Sequence, residues 1–538
     1  MTAYQGVKNR HNPIIKYSPH RKFWFVLLSV HIALALLFVL DRSPGTDAAL
    51  SGFPLDDAWI HMVYARNLAG SGLPYYNHGV LEPGFTSPLW MIFGALAHIV
   101  SFSSGASPVV MIKILGVLFA WLTSVAMFEL CCYFSDHLIP ATLCGLYVAT
   151  LPTFAFSQVS GMEVCLASCL SGWALLFLFR RRFLSSGILL GLAAISRPEN
   201  TILTMLVVFS VFLSRPSKLD PPKLGRVVRL LLPTIVLLLL WSCFCLAISG
   251  HPLPNTYYAK FSSFDAIGGL GRIIGEVVLR MPAMFLWSGV LLYVLGILYM
   301  LKRGPREALV TIVYPWLFMI SIAATRQMPH LSGQYYYWLR YVVPALPFLF
   351  VPLSLGFGFL WAGVKRFPRL GLKTNIINLA RLVAALLVMV SWVKLPGELR
   401  FRSNQFAWNC QNINEVQVEL GRWVSEETPH DAVIAVNDSG ALRYFGGRKT
   451  IDLIGLNNRT ILFDRQLATE LKWNVSSMME FLKSENAHYL IIFPSWFAPL
   501  VQTEEFMKNF KLINYRHSKN YTICAAHQDF MAVYLWEY

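Results

Sequence analysis

The reading of this chain turns on Phe53-Pro-Leu-Asp-Asp-Ala-Trp-Ile-His61, which runs on through Arg66-Asn67 to Leu81-Glu82-Pro-Gly-Phe-Thr-Ser-Pro-Leu-Trp90. It follows an apolar segment, Phe23–Leu40, and carries two adjacent carboxylates, Asp56 and Asp57. Asp is favoured at helix starts, so Asp56 predicts a cap on a helix over about Asp57–Ala69, with Trp59, Met62 and Arg66 on one side at spacings of three and four. Read simply, the pair caps a short interfacial helix. A cap needs one carboxylate, however, and here two stand at the rim of a very apolar chain. A carboxylate half-removed from water has a raised pKa and suits a general base. Asp56 and Asp57 are therefore the candidate catalytic residues, with the choice between them open.

The surroundings of that stretch are those of a membrane protein. Of 538 residues, 55% are hydrophobic and 14% charged, with a mean hydropathy of +0.51; a soluble chain carries about 25% charged residues. The net charge of +16 comes from short basic clusters at the ends of apolar stretches, as membrane topology places them, and not from one basic face, which argues against nucleic acid. Seven of the nine cysteines lie inside apolar stretches and read as small hydrophobes. Cys410 and Cys524 lie in the polar C-terminal region and are able to pair if it is exported. No cysteine pair has metal-ligand spacing with a nearby His, and no metal or cofactor site is predicted.

A span needs about 20 apolar residues, with Lys and Arg concentrated on the cytoplasmic side. The basic N-terminal segment predicts a cytoplasmic N-terminus, and no small-residue cleavage site follows Phe23–Leu40, which is expected to remain as the first span. The Asp56 loop then lies outside. Basic clusters at 180–182, 215–229, 302–306 and 365–369 are expected inside. Four apolar stretches separate Thr86 from Arg182: Pro88–Phe102, Val109–Tyr133, Leu138–Phe156 and Val164–Phe179. If all four crossed, Arg180–Arg182 would be outside, so Pro88–Phe102 is expected to lie along the outer face. This gives about eleven spans within residues 1–395 and an exported domain over 396–538.

One hairpin is short. Phe183–Ser196 and Thr201–Leu213 each reach only about 20 Å into a core of about 30 Å, which places Arg197 and Glu199 in their turn at membrane depth. Ionisable groups there are usually functional; a self-neutralising structural pair is the alternative. Beyond Pro396, strand-like runs Ala432–Val436, His488–Phe493 and Ala532–Trp536 alternate with helical patterns at Ile413–Glu426 and Ser476–Ser484, which indicates a small α/β domain. No Gly-rich phosphate loop opens it. Two more loops are rich in polar and aromatic residues: His251–Lys260, with Asn255, Tyr257, Tyr258 and Lys260, and Gln334–Tyr341, with Arg340. Such cations neutralise phosphates and such amides and hydroxyls read sugars. For Tyr335–Trp338 an aromatic belt at the bilayer edge is the better account.

Five stretches together resemble the GT-C glycosyltransferases, multi-span enzymes that take sugars from polyprenyl-phosphate carriers, and among them are similar to bacterial relatives of the mycobacterial terminal arabinofuranosyltransferase. They are Asp56-Asp-Ala-Trp-Ile with Arg66-Asn67 and Glu82–Trp90; Ser160-Gly-Met-Glu163; Ser196-Arg-Pro-Glu199; Pro254–Lys260; and Asp438–Phe445 with Ile451–Leu456. The resemblance implies a mostly helical, GT-C-like membrane body of about eleven spans, with juxtamembrane helices in the first exported loop and a C-terminal α/β domain. It implies a catalytic base at Asp56 or Asp57 and a lipid-phosphate site for which Lys260, Arg340 and Arg197 are the matching cations. Arg66, Asn67, Glu82, Glu163, Glu199, Asn255, Tyr257 and Tyr258 are the further substrate-binding candidates. Trp59 stands where relatives usually carry Tyr, and Pro83 where an acidic-Gly-Tyr run is commoner, which leaves sugar and acceptor open.

The reaction implied is inverting transfer from a polyprenyl-phosphate donor to a cell-envelope glycan, lipid or protein at the outer face of the inner (plasma) membrane. Its leaving group is already anionic, and one base suffices, so paired carboxylates at glycosidase spacing are not expected. Some GT-C enzymes use a divalent metal; none is predicted here. The rival readings are a lipid-linked sugar flippase, whose charges would line a path through the membrane, and a non-catalytic envelope assembly factor.

Overall fold

A computed structural model describes residues 21–135, 137–214, 220–260, 281–325, 339–363, 374–519 and 530–536. Among the described residues the first helix is α1 (Arg21–Val39), followed in the long loop by α2 (Asp56–Ser71) and α3 (Pro88–Ser104). The body continues with α4 (Pro108–Phe134), α5 (Leu138–Thr150), α6 (Val164–Phe179), α7 (Phe183–Ser196), α8 (Thr201–Leu213), α9 (Lys223–Ser249) and the short α10 (Asn255–Lys260). It closes with α11 (Met281–Arg303), α12 (Ala308–Thr325), α13 (Leu346–Gly363) and α14 (Thr374–Val393). Each expected span but Leu138–Phe156 is thus a single helix. Among the described residues α1, α4, α9, α12 and Val343–Trp361 are long and apolar enough to cross a bilayer unaided, and α5 to α8 are shorter apolar helices. Helices suit lipid because they satisfy their own backbone groups, and the molecule is a multi-pass membrane protein.

Two expectations need correction. Leu138–Phe156 does not form one span: Pro152 ends α5 at Thr150, and a separate short helix covers Pro152–Ser157, as a proline does to the residue before it. Nor does Asp56 cap its own helix. Leu55, in extended conformation, is the cap residue and makes no side-chain bond, so Asp56 and Asp57 both belong to the first turn of α2. α3 lies beside α2, started by Ser87 accepting from the Trp90 N–H with Pro88 in the first position, and stopped by Gly105 in the left-handed conformation. It buries Trp90, Met91, Ala95 and His98 and turns Ile92, Leu96, Ile99 and Phe102 outward, the two-sided pattern of a helix lying at an interface.

After α14, α15 (Leu395–Ile413) passes through a π-turn at Asn414–Val418 into α16 (Glu419–Glu427). The start of the C-terminal region belongs to the same core as the membrane body: Phe406 packs on Phe38 and Phe156, with ring centroids 5.9 and 5.0 Å away. Beyond it lies a five-stranded sheet of β1 (Val433–Val436), β2 (Lys449–Asp452), β3 (Tyr489–Ile492), β4 (Lys511–His517) and β5 (Phe530–Leu535), ordered β2-β1-β3-β5-β4. β1 runs parallel to β2 and β3, while β5 is antiparallel to β3 and β4. α17 (Ala441–Gly446) joins β1 to β2 and α18 (Val475–Ser484) precedes β3. Cys410 is buried, its Sγ 3.8 Å from the Gly52 carbonyl oxygen. Cys524, Tyr335–Trp338 and the basic cluster at 365–369 lie outside the described residues.

Candidate active site

Successive residues of a helix diverge by about 100°, so α2 sends its two carboxylates in different directions. Asp56 turns to the C-terminal domain. Its oxygens accept from the backbone N–H groups of Gly440 at 2.6 Å and Ala441 at 2.7 Å, so it caps α17 from 384 residues away. Gly440 is required by the approach itself: a Cβ there would lie 2.2 Å from the Asp56 carbonyl oxygen. Further bonds close this seam. The Tyr76 hydroxyl donates to the Ser439 carbonyl at 2.6 Å, the Tyr64 hydroxyl to Asn457 at 2.9 Å, and Asn77 exchanges two bonds with the Thr450 backbone. Burial, with the Asp438 carboxylate, pushes the Asp56 pKa well up, against the pull of the two amide N–H groups.

Asp57 turns the other way. Its Oδ2 accepts from Arg340 Nη2 at 2.5 Å and from Lys260 Nζ at 3.3 Å. Burial alone would raise its pKa, but Lys260 and Arg340 outweigh that and hold the carboxyl well below the usual range. The cations are themselves fixed. Arg340 Nη2 lies 3.0 Å from the Tyr341 hydroxyl and its guanidinium 4.9 Å from that ring's centroid. α10, which ends on Lys260, is pinned to the first loop by the Asn255 N–H donating to the Pro83 carbonyl and the Asn255 amide donating to Glu82, both at 3.0 Å. Burial raises the pKa of Glu82, which Arg459 approaches to 3.7 Å.

Asp57, Lys260 and Arg340 stand at the polar end of a cavity of about 430 Å³. His61, Glu163, Arg197, Glu199, Tyr257 and Tyr341 also line it. The remaining walls are largely apolar, with Ile195 from α7, Ile202 from α8 and Leu238 and Trp241 from α9; Leu456 enters from the C-terminal domain. Arg197, in the turn of the short α7–α8 hairpin, reaches the cavity, where its guanidinium lies 3.1 Å from Glu163 and 3.6 Å from Glu199. An anion entering beside Asp57 meets two preset cations, and an attached hydrocarbon meets apolar wall.

Of the residues singled out in the sequence, Asp57, Glu163, Arg197, Glu199, Tyr257, Lys260 and Arg340 meet at this cavity. The others lie elsewhere. Asp56 holds α17; Arg66 sits 4.4 Å from the Tyr444 ring centroid and donates to the Tyr444 carbonyl at 2.7 Å; Asn67 bonds the Tyr75 carbonyl at 2.7 Å. Glu82 and Asn255 bond each other, and Tyr258 packs on His251 and Phe463. His61, Tyr341, Trp241 and Leu456 were not singled out. For His61 a signal existed, since it follows Asp57 by four residues and so shares its helix face. Among the described residues no group of three or more His, Cys, Asp or Glu has an arrangement able to hold a metal ion.

Residues 411–534 match a family model described as Domain of unknown function (DUF8728). A comparison with curated proteins gives no match. Among solved structures, the chain superposes on ArnT from Cupriavidus metallidurans bound to undecaprenyl phosphate with a TM-score of 0.57 at 12% identity, covering 95% of this chain and 97% of that one. It superposes on the oligosaccharyltransferase AglB from Archaeoglobus fulgidus, in complex with an inhibitory peptide and a dolichol-phosphate, with a TM-score of 0.59 at 12% identity, covering 95% and 76%. For the arabinofuranosyltransferase AftD from Mycobacteria the TM-score is 0.52 at 13% identity, covering 96% of this chain and 41% of that one. The first holds undecaprenyl phosphate and the second a dolichol-phosphate, and what this chain shares with all three, over nearly its whole length, is the GT-C fold.

Proposed function

We propose that this protein is a membrane glycosyltransferase that moves a sugar from a polyprenyl-phosphate donor to a hydroxyl of a cell-envelope glycan, lipid or protein. We place the reaction at the outer face of the inner (plasma) membrane, with Asp57 as general base and inversion at the anomeric carbon. One observation carries the reading: a carboxylate shared by Arg340 and Lys260 at the polar end of an otherwise apolar cavity. The likeness in fold to proteins solved with undecaprenyl phosphate and with a dolichol-phosphate supports the same donor class.

The paired state of Asp57 suggests how the steps are ordered. A carboxylate held far below its usual pKa is a poor base. When the donor phosphate binds, it takes over Lys260 and Arg340, and Asp57, now buried without its cations, becomes a stronger base. Asp57 then accepts the proton of the acceptor hydroxyl. The acceptor oxygen attacks the anomeric carbon from the side opposite the phosphate, the bond from that carbon to the phosphate oxygen breaks, and polyprenyl phosphate leaves with its charge held by the two cations. One displacement inverts the centre. Arg197, Glu163, Glu199 and Tyr257 complete the polar end around the sugar.

The test replaces the two aspartates separately. Label is followed from an undecaprenyl-phosphate sugar donor into membrane glycan, using the full chain in membranes. Asp57→Asn should lower transfer about 10²- to 10⁴-fold, the usual contribution of a general base, with unchanged insertion and melting, whereas Asp56→Asn should act chiefly on stability. Undiminished transfer by Asp57→Asn would remove the proposed base, and movement of donor across the bilayer without transfer would replace the enzyme with a flippase.

A further inference from the structure

We infer that His61 contacts the transferred sugar and sets donor specificity, an assignment that rests on the glycosyltransferase reading of the same cavity. His61 lies one helical turn from Asp57 on α2, four residues on and therefore on the same face. It lines the cavity and is 7% exposed. Its Nε2 stands 3.9 Å from Glu163 Oε2, too far for a direct hydrogen bond, and its Nδ1 has no hydrogen-bond partner among the described residues. Glu163 is held from its other side, Oε1 accepting from Arg197 at 3.1 Å, while Oε2 has no hydrogen-bond partner among the described residues. His61 and Glu163 thus approach each other to 3.9 Å through Nε2, and each keeps a buried atom, Nδ1 and Oε2, with no hydrogen-bond partner among the described residues; such atoms are uncommon unless something else bonds them.

The place of His61 in the cavity says what that partner is. A phosphate on Lys260 and Arg340 sits beside Asp57, and its hydrocarbon follows the apolar wall of Ile202, Leu238 and Trp241. The sugar is bonded directly to that phosphate. The next polar groups along the face of α2 are His61 and, across from it, Glu163. An imidazole offers one donor and one acceptor and a carboxylate offers acceptors only, so the two together suit neighbouring sugar hydroxyls, one of them bridging the gap between Nε2 and Oε2. A site built to bond a hydroxyl rejects analogues that lack it, because its own buried groups are then left unpaired.

The experiment uses the full chain in detergent and lipid, with two kinds of probe: undecaprenyl phosphate alone, and undecaprenyl phosphate carrying a pentofuranose or a hexopyranose. His61→Ala should weaken the affinity advantage of the best sugar-bearing donor over the bare phosphate about 10- to 100-fold, raising KM for that donor, while affinity for undecaprenyl phosphate stays at the wild-type value. His61→Gln, which keeps a donor and an acceptor, should recover part of the advantage. Equal loss of affinity for both probes, or a His61→Ala protein that melts earlier yet discriminates as wild type does, would make His61 a packing residue and overturn the assignment while leaving the glycosyltransferase reading standing. A wild-type protein that binds no undecaprenyl phosphate would overturn both.

Discussion

Asp56 and Asp57 are neighbours in the chain and belong to two different regions. On the seam side, Asp56 meets the N-terminus of α17, and the groups around it are satisfied by fixed protein partners: Gly440 and Ala441 N–H, the Ser439 carbonyl, Asn457, the Thr450 backbone. On the cavity side, Asp57 meets two cations next to mostly apolar space, and among the described residues His61 Nδ1 and Glu163 Oε2 keep no hydrogen-bond partner. The seam is finished by folding, whereas the cavity holds polar groups that a ligand can still engage. The same residue type therefore has fixed backbone partners on one side of a helix and faces a cavity on the other, and the contrast rests on partners, not on sequence position.

The contrast breaks most severely at Gly440. A Cβ there meets backbone oxygen at 2.2 Å and the Asp56 carboxylate at 2.7 Å, and neither is the free end of a flexible chain. Overpacking of this kind costs about 1–3 kcal/mol, and Gly440→Ala should reach the upper end, with the C-terminal domain becoming sensitive to protease before the membrane body does. If the seam is structural only, residual transfer should fall no further than the folded fraction. A Gly440→Ala protein that melts as wild type would show that Asp56 does not hold the domain.

The cavity side is sharpened by pH. In the free protein Lys260 and Arg340 keep Asp57 ionised well below pH 4, so kcat/KM should show no acid limb from it where ordinary carboxylates titrate. Once donor phosphate occupies the cations, the same carboxyl regains its burial-raised pKa, and the acid limb of kcat should move up by at least about one pH unit relative to kcat/KM, a tenfold effect. Lys260→Ala should bring the two limbs closer by raising that of kcat/KM. Coincident limbs in the unmodified protein would mean that Asp57 keeps both cations through the reaction.

Local signals in the chain were enough for most of the architecture. The apolar stretch Pro88–Phe102 was legible as a helix, found at Pro88–Ser104, and the turn between Phe183–Ser196 and Thr201–Leu213 was legible as a place of interest, since Arg197 and Glu199 line the cavity. Strands β1, β3 and β5 are apolar runs and were readable; β2 begins Lys449-Thr450 and β4 is a largely exposed edge strand, so neither stands out by hydrophobicity. What could not be read is the division of labour between Asp56 and Asp57, which is set by Gly440 and Arg340, hundreds of residues away. The same holds for Glu82 and Asn255: their types suit a sugar site, yet 173 positions apart they satisfy each other.

The smallest effect tests whether the two regions are electrostatically separate. Asp438 lies between them, its Oδ2 accepting from the Gln417 amide at 2.8 Å. Burial pushes it up to about 6, with Asp57 and Asp452 adding to the rise and Gln417 opposing it. Between its ordinary value of 3.8 and that raised value, the unfolded chain has lost the proton that the folded protein still keeps. Folded protein then binds more protons, so stability falls as pH rises through this window and stays lower above it. Asp438→Asn removes the titration and should raise stability at pH 7 by about 1 kcal/mol after solvent screening, with little change at pH 4. Melting of both proteins at the two pH values decides it. A variant less stable than wild type at pH 7 would show that the charged Asp438 is wanted where it is, and that the seam and the cavity share one carboxylate cluster.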